Sequence, residues 1–243
     1  MEEYMEMIKT LRFSSNPEIY QQWMSCFLEP LGGSYDTYGN YIVEVGQPNG
    51  ILFSAHTDTQ TVKSKLDLEK PVVYFQTEGK TFVHTNKQRP LGADDTNGVW
   101  ILRSMILQGY PATYVFHKDE EVGCLGSSHI ASHYSDWLSR FQCAIAIDRK
   151  GYTDVITHMI GISTCTPHFA SYLAQSLNMN PSPKGGLTDT FYYSPFIPNC
   201  TNLSCGYFYA HSNQEFSDFS FCQELLHKLL DLDPDKLVHF GCL

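Results

Sequence analysis

Three things are scarce in this 243-residue chain: long apolar runs, basic residues and paired cysteines. No uninterrupted hydrophobic stretch approaches the ~20 residues that a membrane helix requires, so a membrane-spanning role is not expected. Only 16 Lys and Arg stand against 26 Asp and Glu, a formal charge of −10. That balance disfavours binding to nucleic acid through counterion release, and equally a polybasic attachment to anionic lipid. The opening residues Met1-Glu2-Glu3-Tyr4-Met5-Glu6 are acidic, without the basic and apolar segments of a secretory signal. The eight cysteines are scattered with no C-x-x-C pair, which favours reduced, mostly buried thiols and a cytoplasmic setting over a disulfide framework or a structural zinc site. Repeats, linkers and low-complexity tracts are absent too, and one domain spanning 1–243 is expected.

What is present is an ordered globular composition, 42% hydrophobic and 14% aromatic. Asn16 caps a helix that Pro17 and Glu18 open, with Tyr20, Trp23, Met24 and Phe27 on its apolar face. Tyr41–Val45 and Ile51–Ala55 read as neighbouring strands, the second apolar enough to lie inside a sheet. Val72–Gln76 and Thr81–His84 read as an edge hairpin. Further strands are expected at Thr113–Phe116 and Cys143–Ile147, and helices over 98–107, 127–139, 166–177 and 217–231. Strands alternating with helices predict an α/β three-layer sandwich with a mixed, largely parallel central sheet flanked by helices.

Five points share one pattern: residues able to ligate a metal follow an apolar segment. His56 and Asp58 end the Ile51–Ala55 strand, and Asp94-Asp95 precede a helix. Glu120-Glu121 follow the Thr113–Phe116 strand, Asp148 ends Cys143–Ile147, and His211 follows Gly206–Ala210. In an open α/β sheet, ligands bind at the carboxyl ends of the strands, so these groups are expected around one crevice. Imidazole with carboxylate suits zinc or a related divalent ion. Of the two adjacent glutamates, one can bind metal while the other takes a proton from water.

The segments HTDT (56–59), LGADDTNG (91–98), DEEVG (119–123), AIDRKG (146–151) and HSNQE (211–215) together resemble the co-catalytic dizinc exopeptidases, nearest to the tripeptidase-like and aminopeptidase-like branches. The likeness keeps the same order from about Tyr38 to Glu215. It implies two zinc ions, with cobalt or manganese as substitutes: His56 and Asp148 on one, Glu121 and His211 on the other, and Asp94 bridging. It implies Asp58 as the carboxylate orienting His56, Glu120 as general base, and a cis peptide at Asp94–Asp95. The aspartate at 148 tilts the expectation toward cleavage of short peptides at a free amino end. An N-acyl amino acid amidohydrolase, a glutaminyl-cyclase-like enzyme and a non-catalytic peptide-binding domain remain as alternatives.

The chain also departs from the pattern. Only about sixty residues separate Asp148 from His211, too few for the lid and dimerisation domain of tripeptidase-like members. A lid-borne histidine and a carboxylate-gripping arginine are therefore not expected, and a monomer is. Gly185-Gly186-Leu187-Thr188-Asp189 resembles the glycine-rich substrate segment of lid-less aminopeptidases, which nominates Gly186, Thr188 and Asp189. Tyr192 and His168 are nominated as oxyanion or substrate contacts.

Overall fold

In the computed structural model, residues 1–13, 15–47, 49–60, 72–86 and 89–242 are described. The strands are β1 (Ser34–Tyr35), β2 (Tyr41–Val45), β3 (Ile51–His56), β4 (Val73–Thr77), β5 (Lys80–His84), β6 (Ala112–His117), β7 (Cys143–Arg149), β8 (Asp154–Ile156), β9 (His158–Met159), β10 (Ile162–Ser163), β11 (Asn180–Ser182), β12 (Asn199–Ser204), β13 (Tyr207–Phe208) and β14 (Phe216–Asp218). The helices are α1 (Glu2–Ile8), α2 (Pro17–Phe27), α3 (Ala93–Leu107), α4 (Leu125–His133), α5 (Ser135–Leu138), α6 (Pro167–Leu177), α7 (Phe219–Leu230) and α8 (Pro234–Gly241).

Eight strands form the central sheet in the order β1-β2-β6-β3-β7-β12-β8-β11. Its middle, β6-β3-β7-β12, is parallel throughout. Antiparallel pairs β1–β2, β2–β6 and β8–β12 make it mixed, in agreement with the fold class read from the sequence. One expectation is revised: β2 and β3 are not partners, because β6 lies between them and pairs with both. An apolar strand buried on both faces can take a partner on either edge, and sequence order does not say which comes first.

Side-chain alternation splits the interior into two layers. Ile51, Phe53 and Ala55 of β3 face a large core with Trp100, Phe169, Phe219 and Leu225, while Leu52 faces a smaller one with Ile130, Leu138 and Phe141. Helices therefore cover both faces of the sheet. α3 presses hardest. A Cβ on Gly98 would stand 2.0 Å from the Ile147 carbonyl, so only glycine lets the helix approach β7 there.

Helix boundaries follow local chemistry. Asn16 caps α2 by accepting from the Ile19 amide, and Asp218 caps α7 by accepting from Phe221, so that helix begins at Phe219 and not at 217. The helix expected over 127–139 is two pieces, interrupted at Tyr134 where φ is −129°. The expected hairpin is β4–β5, at the edge of a second sheet ordered β13-β14-β5-β4. This small sheet carries the loop between β13 and β14, and with it His211 and Glu215.

One buried cation ties the N-terminal segment to the crevice loops. Arg12 is fully buried; its Nε donates to the Thr57 carbonyl (2.6 Å), Nη1 to the Thr10 carbonyl (3.1 Å) and Nη2 to the Thr96 hydroxyl (2.9 Å). The guanidinium stacks on Trp23 at 4.2 Å. Burial pulls its pKa down to about 10, with Asp58, Tyr20 and Asp95 opposing, so it stays charged at neutral pH. Thr57 and Thr96 flank Asp58 and Asp95 in sequence, and Arg12 therefore fixes two acid-bearing loops at once. Replacing Arg12 by Met should lower unfolding free energy by roughly 3 kcal/mol or more, read from denaturant titration. A loss below about 1 kcal/mol would show that the network is not an anchor.

Candidate functional site

The carboxyl ends of β3, β6 and β7, with the loops after β13 and before α3, surround a crevice of about 610 Å³. Asp94, Glu120, Glu121, Asp148 and His211 line it, and His56 lies buried behind them, its Nε2 turned to Asp94 and Asp148. His56 Nε2 is 3.0 Å from Asp94 Oδ1 and 3.5 Å from Asp148 Oδ1. His211 Nε2 is 3.3 Å from Asp94 Oδ2 and 2.9 Å from Glu121 Oε1. The two oxygens of Asp94 thus face two different groups of donors: His56 with Asp148, and His211 with Glu121. Each group can hold a metal ion, and Asp94 belongs to both.

The donor set fits divalent ions on geometry as well as type. Buried Glu121 Oε1 sits 2.9 Å from His211 Nε2, yet without the alignment of a hydrogen bond, and it has no other hydrogen-bond partner. Imidazole nitrogens and carboxylate oxygens that converge on two points, one of those oxygens without a hydrogen bond of its own, are what a shared cation requires. The peptide between Asp94 and Asp95 is cis.

Charge crowding shapes the site electrostatically. Burial pushes Glu120 up to about 9; Asp148, Asp189 and Asp94 add to this and His56 opposes it. Asp148 is pushed by burial to about 6, against hydrogen bonding from His56. The carboxylates of Asp94 and Glu121 raise His211 to about 10, outweighing its partial burial. Burial favours the neutral form of His56, but Asp148, Asp58 and Asp94 outweigh it and hold the imidazole well above its ordinary value. A divalent cation held between these groups would favour their deprotonated forms, because metal ligands bind with their protons removed.

Surrounding groups hold each of these side chains. His56 Nδ1 lies 2.9 Å from the Asp58 backbone carbonyl, whereas the Asp58 carboxylate stands at 3.6 Å. That carboxylate instead accepts from the amides of Glu120 (3.0 Å) and Glu121 (3.1 Å). Asp58 thus orients the imidazole largely through its main chain, and its side chain pins the glutamate pair. Asp148 Oδ2 accepts from the Thr188 hydroxyl at 2.8 Å, and its amide donates to Asn202 Oδ1 at 2.9 Å. Asp95 accepts from the His56 amide (3.2 Å) and from the Gly98 amide (3.0 Å).

The remaining nominated residues are divided. Gly186 and Thr188 line the crevice. Asp189 does not: it is buried with Oδ2 3.0 Å from His117 Nδ1, and His117 Nε2 meets the Tyr193 hydroxyl at 2.5 Å. Its turn directs Thr188 outward to Asp148 and the next carboxylate inward to an imidazole. Tyr192 packs against the smaller hydrophobic core. His168 lies on α6 beside a separate surface cavity with Tyr172 and Phe240. Neither lines the crevice among the described residues.

Glu215 carries a role that the motif HSNQE did not disclose. Its buried carboxylate accepts from three amides where the chain enters α3: Leu91 (2.9 Å), Gly92 (3.0 Å) and, in the irregular first turn, Asp94 (3.1 Å). The loop bearing His211 is thereby fastened to the start of α3, which bears Asp94. The one sequence signal was an acid four residues past a candidate ligand, which alone does not distinguish a tether from a solvated side chain.

No family model matches the chain, and no curated protein matches it in sequence. Solved structures do match in fold. Aminopeptidase PepT from Bacillus cereus superposes with a TM-score of 0.72 at 12% identity, covering 100% of this chain and 98% of that one. A tripeptidase from Staphylococcus aureus gives 0.69 at 14% identity, covering 99% and 97%. The TET1 peptidase of Pyrococcus horikoshii, which can assemble into a tetrahedron or a large octahedral shell, gives 0.69 at 16% identity, covering 94% and 98%. The architecture is therefore that of these peptidases over nearly its whole length.

Replacing Glu215 by Ala removes the acceptor of three amides, and should speed amide hydrogen exchange at Leu91, Gly92 and Asp94 by at least about tenfold. Glu215→Gln, which retains an amide oxygen, should lie between. Exchange at these three positions that follows only the global stability would refute the tether.

Proposed function

We propose that this protein is a metal-dependent hydrolase that cleaves short peptides at a free amino end, using two zinc ions. The observation that carries this reading is the division of Asp94: one oxygen toward His56 and Asp148, the other toward His211 and Glu121. Peptidases that share the fold support the peptide bond as the target. His56 and Asp148 would hold one ion, His211 and Glu121 the other, with Asp94 between; bound zinc polarises a carbonyl and makes water more acidic.

The protein's own groups account for the proton transfers. Glu120 lines the crevice beside the donor set without belonging to either cluster, which leaves its carboxylate for a proton. Its backbone is fixed by Asp58. Its displacement to about 9 reflects burial and neighbouring anions, and nearby divalent charge works in the opposite direction. With that charge present, Glu120 takes a proton from the attacking water and returns it to the departing amine. Thr188 and Asn202 keep Asp148 from turning away. No helix among the described residues is long and apolar enough to cross a membrane. All eight cysteines are free, and the reading extends to a cytoplasmic monomer without a nucleic-acid partner.

Glu120→Gln keeps the shape of the side chain but cannot carry the proton. It should bind zinc as the parent does and lose about 10²–10⁴-fold in kcat on an aminoacyl anilide. Undiminished turnover would overturn the assignment. An N-acetylated amino acid should be a poor substrate beside the free aminoacyl anilide. The reverse preference would identify an N-acyl amidohydrolase instead.

A further inference from the structure

Cys124 touches Glu120 and belongs to neither metal cluster. It is buried, and its thiol donates to Glu120 Oε1 at 3.4 Å. Its amide donates to the Glu120 carbonyl at 2.8 Å, so one residue engages both the main chain and the carboxylate of Glu120. Cys124 is itself fixed by α4: its carbonyl accepts from the Ser128 amide (3.0 Å) and the Ser127 hydroxyl (3.1 Å). Among the described residues, no other side chain donates to the Glu120 carboxylate.

The backbone at Cys124 is left-handed, with φ 54° and ψ 41°. Glycine adopts that conformation freely and cysteine does not, so a side chain is kept there against strain. The thiol suits the task of holding a base. Burial pushes its pKa far above the ordinary thiol value, with Asp189 and Glu120 adding and His56 opposing, so it keeps its proton. A thiol is a weak donor. A hydroxyl or an ammonium would hold the carboxylate more firmly, but would also favour its charged form and make it a poorer base. The contact engages Oε1 and leaves Oε2 for a proton.

We propose that Cys124 is a positioning residue for Glu120: its thiol holds Oε1 so that Oε2 stays directed at the attacking water. Asp58 fixes where the backbone of Glu120 stands, and Cys124 fixes how its carboxylate turns. The inference rests on reading Glu120 as the general base, and the two fail separately.

The test compares zinc-loaded Cys124→Ala and Cys124→Ser with the parent on an aminoacyl anilide. Both variants keep the left-handed backbone, and only serine keeps a donor. Cys124→Ala should lose at least about threefold in kcat, with KM and zinc content unchanged, because the interaction serves the transition state. Cys124→Ser should recover most of that loss. A smaller loss in Cys124→Ala, a loss carried by KM, or an equal loss in both variants overturns the proposal. Raman spectra of the zinc-free protein read the contact without altering Cys124. Hydrogen bonding lowers the S–H stretching frequency, so the parent should show a lowered band that moves up in Glu120→Ala. Identical bands in the two proteins refute the contact, even where a Cys124 variant fails to fold. Turnover that is lost in Glu120→Gln but indifferent to Cys124 removes this inference alone. Absence of turnover in the zinc-loaded parent removes the hydrolase reading and the positioning role with it.

Discussion

Everything around the crevice answers one constraint: several carboxylates must be held within a few ångströms of one another, largely out of water. Asp94 is the point of greatest demand. Both of its oxygens face imidazoles while Asp148 and Glu121 press in from either side. Anions so placed repel strongly at low effective dielectric, and the fold must either supply positive charge or leave the acids protonated. The raised values of Glu120 and Asp148 and of both histidines record that demand.

Backbone and buried side chains do the holding. Asp58 grips the amides of the glutamate pair, Asp95 grips those of His56 and Gly98, and Glu215 grips the chain where it enters α3. Three acids that never line the crevice thus place the groups that do. Arg12 lies beneath them, fully buried, joining Thr57 and Thr96 to the N-terminal segment. Part of the excess of acid over base is therefore interior structure, and the net charge of −10 overstates what the surface displays.

Residues whose meaning depends on local order were legible in the sequence. His56, Glu121 and Asp148 follow or end apolar strands, and parallel strands bring such ends together whatever their pairing order. The order itself was not legible, because β3 is apolar on both faces and takes β6 where β2 was expected. Long-range polar partnerships were equally hidden. Nothing near Glu215 indicates that its acceptors' partners lie more than a hundred residues earlier. Asp189 shows the same limit from the other side: Thr188 reaches the crevice, but a turn sends the next carboxylate inward to His117. His168 looked available as a polar group, and only the placement of α6 sets it apart.

The central proposal for this acid cluster is a two-ion centre. Crystals of the zinc-soaked protein, measured on both sides of the zinc absorption edge, test it most directly. The account predicts two anomalous peaks about 3.5–4 Å apart, with the Asp94 carboxylate between them and one histidine at each. A single peak, or none after full zinc loading, would contradict it.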